Sequence, residues 1–215
     1  MAQEWFDYVT RLWREDHAFD WEGTFFRGKG VYGRPHPVQS RIPVINAAAS
    51  EEGRAFAMRN ADFLFTPVFD FDQAKATVDE ISQKSALVGR DVNVLTFCTV
   101  VCRPTQQEAE DYLHWYANEN ADWDAVDNLM TLQGMHAQSF TKEALSMFRD
   151  RFAAGHGGFP LVGTADHIAD QLARLSEAGI AGTTLSFVDY AKEFPYFRQE
   201  VLPRLVAKGL RTETH

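Results

Sequence analysis

The chain has 215 residues, 45% of them apolar, and a formal net charge of −9 from 21 basic and 30 acidic side chains. This balance excludes a disordered chain and suffices for a core without disulfide staples. No stretch approaches the roughly 20 apolar residues of a membrane span. No basic-then-apolar leader opens the sequence, and the acidic excess argues against a nucleic-acid partner. A cytoplasmic location with no membrane partner is therefore expected.

In chain order, residues 4–15 place Trp5, Tyr8, Val9, Leu12 and Trp13 at helical spacing. Residues 17–41 have no period and read as a long connection with short extended pieces. Gly28, Gly30 and Gly33 there spell a GxGxxG, but Pro35 and Pro37 follow where a dinucleotide motif needs a helix. Ile42–Ala47 reads as a buried strand, and Ser50 as the N-cap of the next helix. A strand at Asp62–Thr66, a helix at Asp72–Val88 and a strand at Val92–Val101 follow. Thr105–Asn118 reads as a helix opened by a Thr105/Glu108 capping box.

Residues 121–154 read as a helical insertion, and Ala154–Pro160 as a glycine-rich loop. A helix at Thr164–Ala178, a strand at Thr183–Val188 and a helix at Phe194–Lys208 close the chain. Pro203 should kink or break that last helix. Strands alternating with helices predict an α/β fold with a parallel sheet. Four principal strands are about half of a (β/α)8 barrel.

Few residues offer chemistry. At Ala47–Ser50 a parallel strand meets a helix start, whose free amides can hold a phosphate. Ser50 can donate its hydroxyl there, although Glu51 and Glu52 also suit a plain helix cap. Phe65, Phe97, Phe187 and Tyr190 lie near the C-terminal ends of strands, where a barrel has its active site. They can wall a flat apolar ligand or simply pack the core. None of the seven histidines has metal-ligand spacing, so no metal is expected. Four extended residues separate Cys98 from Cys102 by about 13 Å, too far for a disulfide, so both read as core. No self-contained catalytic set is visible, which suits an enzyme whose cofactor carries the chemistry.

Four stretches carry a resemblance: EWFDYVTRLW at 4–13, PVINAAASEEGRAFAMRNADFLFT at 43–66, the run from GGFPLVG to SFVDY at 157–190, and FRQEVLPRLVAKGLR at 197–211. Together they resemble the bacterial-luciferase-like, flavin-dependent monooxygenases, in particular the dimethyl sulfone and pyrimidine monooxygenase subgroup. The resemblance implies a partial (β/α)8 TIM-type barrel, its C-terminal four βα units, as one domain over 1–215. It implies reduced FMN at the C-terminal mouth, with F420 the alternative cofactor in some relatives. It also implies O2 and a small organosulfur or N-heterocyclic substrate, a separate flavin reductase, and a homo-oligomer. The family's flavin-contacting serine maps onto Ser50, flanked by Ala49 and Glu51. Phe97 and Phe187 would line the substrate pocket. The barrel's first four strands would lie upstream of Met1, and a longer reading frame is the expectation. Half a barrel has two open sheet edges, which a partner, a second copy or that longer chain would cover.

Overall fold

A computed structural model describes residues 1–39, 41–48, 50–135 and 141–213. Residues 1–45 and 46–215 form two compact units. In the first, helix α1 (Ala2–Arg14) precedes an antiparallel hairpin of β1 (Phe19–Glu22) and β2 (Arg27–Val31). The Glu4 carboxylate accepts the turn amides of Thr24, Phe25 and Phe26 at 2.8–3.1 Å. Tyr8 sets its ring edge-on to Trp21 at 5.3 Å. The connection expected over 17–41 thus contains a hairpin, and Gly28 and Gly30 lie within its second strand.

The second unit follows the βα order. Its elements are β3 (Ile45–Asn46, at the junction), α2 (Glu51–Asn60), β4 (Phe63–Phe65), α3 (Phe71–Ala86) and β5 (Asn93–Cys102). Next come α4 (Gln106–His114), α5 (Trp123–Leu132), α6 (Lys142–Gly155) and β6 (Phe159–Gly163). Helix α7 (Ala165–Glu177), strand β7 (Ile180–Ser186) and helix α8 (Tyr190–Ala207) complete it. The predicted insertion is α5 and α6, joined by a core of Val126, Met130, Phe148 and Phe152.

Strand β5 organises the sheet. It runs parallel to β7 on one edge, pairing Phe97 with Thr184 and Thr99 with Ser186. Its other edge carries β4 beside Asn93–Leu95 and then β6 beside Cys98–Cys102. The run β3-β4-β5-β7 is therefore the barrel path, and β6 extends it at one corner. Alternation fixes the faces. Leu64, Val94, Cys98 and Val100 are buried on the side of the helices, whereas Phe65, Leu95 and Phe97 are only half-buried on the other.

Several boundaries differ from the sequence expectation. The strand expected at 42–47 is two residues long, and the glycine-rich loop ends at Gly158, because Phe159–Gly163 is a fifth strand of the sheet. Pro160 misled the reading; it is tolerated because β6 pairs only along β5. The capping box at Thr105 is present, but the helix it opens loosens into a π-helical turn at Trp115–Glu119. Helix α3 starts at Phe71 rather than Asp72 and is capped by Asp70. Helix α8 starts at Tyr190 and continues through Pro195 and Pro203. Burial of Phe197 and Val201, both fully enclosed, outweighs the lost backbone bonds.

Candidate functional site

The C-terminal ends of the parallel strands form one rim, the place where this architecture carries its sites. On that rim Ser50 caps α2 in an extended conformation, and its Oγ accepts the Gly53 amide at 3.1 Å. Asn46 Oδ1 accepts the Ala48 amide at 3.0 Å, a local turn that folds the connection back onto the helix. A Cβ added to Gly53 would lie 2.5 Å from that of Ala48, so the connection rests directly on the first helical turn.

This geometry leaves the first α2 amides without intrahelical acceptors. The Ser50 hydroxyl, whose oxygen already accepts, keeps its proton to donate outward. Ser50, Glu51 and Glu52 are all exposed. The residues present fit the phosphate end of a mononucleotide: small side chains, free amides and one hydroxyl. The Glu51 and Glu52 carboxylates stabilise the helix start and oppose an anion there. Ala49 lies outside the described residues.

A second feature lies on the open face. Phe65 and Phe97 stack with ring centroids 5.8 Å apart at an interplanar angle of 27°. Gly182 stands beside Leu95, so β7 adds no bulk next to this wall. The glycine loop seals one end of it. A Cβ at Gly155 would sit 2.4 Å from Thr99 Oγ1, and one at Gly158 would sit 3.1 Å from the Phe97 ring. Thr99 Oγ1 donates to the Gly155 carbonyl at 3.2 Å. Within that loop His156 takes a left-handed conformation and ends α6. Phe187 is placed differently from Phe97. It is 7% exposed and edge-on to Phe194 and Phe197 of α8 and to Tyr190.

Sequence reasoning missed a charged group on the same rim. Arg103, directly after β5, donates to Glu193 at 2.6 Å and lies 3.9 Å over the Tyr112 ring. Glu193 also accepts the Val188 and Asp189 amides, which fixes the turn between β7 and α8. Burial, then the nearby Glu193 charge, raises the Tyr112 phenol above its ordinary pKa. The same two causes, in the same order, raise Tyr116, which donates to the Ala154 carbonyl at 2.9 Å. The available signal was an arginine at the end of the strongest predicted strand.

Among the described residues, no helix is long and apolar enough to cross a membrane. The family model for luciferase-like monooxygenases matches residues 1–182. An FMNH(2)-dependent dimethylsulfone monooxygenase of Pseudomonas fluorescens is 27% identical over 212 residues, covering 94% of this chain and 56% of that protein. DmoA from Hyphomicrobium sulfonivorans superposes on all of this chain and 56% of its own, with a TM-score of 0.83 at 20% identity. Riboflavin lyase RcaE, solved with modified FMN and riboflavin, covers 98% of this chain and 57% of its own, with a TM-score of 0.81 at 21% identity. The chain thus spans just over half the length of these relatives and has the fold of a partial TIM-type barrel. It belongs to the luciferase-like monooxygenase family.

Proposed function

We propose that this chain contributes the phosphate subsite and part of the apolar wall of an FMN-dependent monooxygenase. The observation that carries this reading is the exposed Ser50 cap, followed by the Glu51 and Glu52 amides that have no intrahelical acceptor, at the end of a parallel strand in a chain of this family. The Ser50 hydroxyl and the backbone amide of Glu51 would hold the phosphate. Reduced FMN, when bound, supplies the electrons that activate O2 for transfer of one oxygen atom to the substrate.

This chain's residues bind and orient rather than transfer protons. The Phe65–Phe97 wall offers a flat apolar surface and excludes water from one side of the mouth. Phe187 shapes the pocket from behind, through the aromatic packing at the root of α8. The substrate class is a small organosulfur compound or an N-heterocycle, and a separate reductase supplies the reduced flavin.

The test is a titration of the 215-residue chain with FMN, oxidised and then reduced, followed by flavin fluorescence. Saturable binding is expected. Ser50→Gly keeps most of the capping stability, because glycine is tolerated at that position, but removes the hydroxyl. It should weaken FMN about 10-fold or more, the scale of a hydrogen bond to a charged group. Glu51→Gln should tighten binding by removing a like charge. No binding of either redox form, or binding of F420 in place of FMN, would overturn the reading.

A further inference from the structure

Side chains of paired strand residues share a face. The register therefore sets Gly182, Thr184 and Ser186 of β7 beside Leu95, Phe97 and Thr99 of β5, on the side away from the helices. From one strand to the next, the aromatic wall gives way to a row of hydroxyls. Thr99 is engaged, because its Oγ1 donates to the Gly155 carbonyl. At the end of the row, where α8 begins, Tyr190 reaches back to Ser186. Its Oη lies 3.5 Å from Ser186 Oγ and 3.4 Å from the Leu185 carbonyl oxygen. These are the only hydrogen bonds of either hydroxyl among the described residues. Both exceed the roughly 2.5–3.0 Å of a well-made O–H···O bond. The Tyr190 ring is fixed by packing edge-on to the buried Phe187 at 5.5 Å. Two hydroxyls are thus held side by side, each with a proton to give to a third oxygen.

Charge narrows what that oxygen belongs to. Arg103 and Lys192, the cations of this turn, are held by Glu193 at 2.6 Å and Asp189 at 3.0 Å. Phe65, Phe97, Thr184, Ser186 and Tyr190 carry no charge. We propose that Ser186 and Tyr190 are specificity-determining residues. Their two hydroxyls hold a neutral sulfonyl or carbonyl oxygen of the substrate, while its apolar part lies against Phe97 and Phe65. The span suits a small molecule: Thr184, level with Phe97, is two residues from Ser186, about 6.6 Å along β7. The rings attract any apolar molecule, so the hydroxyls carry the discrimination. A ligand with no acceptor covers both donors and leaves them unpaired, which such sites reject strongly. An anion finds no uncommitted cation in this turn. Neither residue makes or breaks a bond; both bind and orient. The inference rests on the flavin reading for the identity of the pocket as a substrate site.

The experiment measures binding rather than turnover. Dimethyl sulfone, uracil, dimethyl sulfide and methanesulfonate are titrated by ligand-detected NMR into the 215-residue chain, with and without oxidised FMN. FMN affinity is recorded on the same samples. Dimethyl sulfone or uracil should bind at least 10-fold more tightly than dimethyl sulfide, which has the apolar body without the oxygens. The tighter of the two identifies the oxygen as sulfonyl or carbonyl. Methanesulfonate should bind no better than the sulfide. Ser186→Ala and Tyr190→Phe should each weaken the preferred ligand about 5-fold, the scale of one hydrogen bond. The sulfide affinity, the FMN affinity and the urea midpoint should stay unchanged. Ser186→Thr, which keeps a hydroxyl, should retain most of the preference. No binding of either oxygen ligand, equal binding of sulfone, uracil and sulfide, tightest binding of methanesulfonate, or a preference undiminished in both variants would each overturn the inference. Loss of FMN binding with the hydroxyl-dependent preference intact would overturn the flavin reading alone.

Discussion

Arg103 and Glu193, ninety positions apart in sequence, meet at 2.6 Å with the Glu193 side chain only 8% exposed. The pair ties the end of β5 to the first turn of α8 and holds the turn between β7 and α8 through two amides. Removing one partner of a buried pair leaves the other charge uncompensated, at a cost of about 3 kcal/mol. Glu193→Ala should therefore lower the urea midpoint strongly. The double variant Arg103→Met, Glu193→Leu should recover a large part of that loss, because no buried charge remains.

The Thr96 hydroxyl is buried on the helix side of β5, without a hydrogen-bond partner among the described residues. Valine has the same shape and β-branching and no polar atom to desolvate. Thr96→Val should gain about 1 kcal/mol, the usual scale for relieving an unsatisfied buried donor. Chemical denaturation of the two proteins side by side measures it.

Gly53 sits in a helix, where alanine would ordinarily gain about 0.8 kcal/mol. The added Cβ would lie 2.5 Å from that of Ala48, a neighbour with no flexible side chain to move aside. Overpacking of that kind costs about 1–3 kcal/mol, so the clash decides the sign. Gly53→Ala should destabilise the protein and loosen the α2 start, read as faster exchange of the Arg54 amide.

Burial pushes the thiols of Cys98 and Cys102 up from about 9 to about 11. The folded pKa exceeds the unfolded value, so between pH 9 and 11 the unfolded chain binds fewer protons. Stability is then fully present below pH 9 and falls as pH rises toward 11. Each thiol contributes roughly 1 kcal/mol per pH unit. Urea midpoints at pH 8, 9 and 10 should decline, and Cys98→Ala should flatten the decline. Both thiols should also resist alkylation at pH 8 until the chain unfolds.

Much of this architecture was legible because it is local. The Thr105/Glu108 box, the Ser50 cap and the apolar face of α7 lie within a few residues of each other, and all appear as read. The core strand β5 was legible from its β-branched run. What escaped depends on distant partners. Strand β6 exists because Phe159–Gly163 finds the far end of β5, and Pro160 hid it. The α8 prolines are overridden by burial of Phe197 and Val201, which no local rule registers. At the rim, Ser50 was visible as a strand-to-helix junction. Arg103 and Glu193 were not, since a pair separated by ninety residues leaves no spacing to read. Phe97 and Phe187 looked alike in sequence, yet only the α8 rings distinguish an open wall from a packed cluster.

The central position of β5 also governs how the chain is made. Its residue Cys98 meets Thr183 of β7 across 85 positions. At about 5–20 residues per second, β7 leaves the ribosome roughly 4–17 s after β5. Throughout that interval the most apolar strand of the molecule has one edge unpaired, while α4, α5 and α6 are still being added. An apolar strand edge left unpaired in this way is prone to aggregation, so shielding it during synthesis should raise soluble yield. Slowing translation lengthens the exposure, and chaperones that hold extended apolar segments shorten its consequences, even when the finished fold is equally stable.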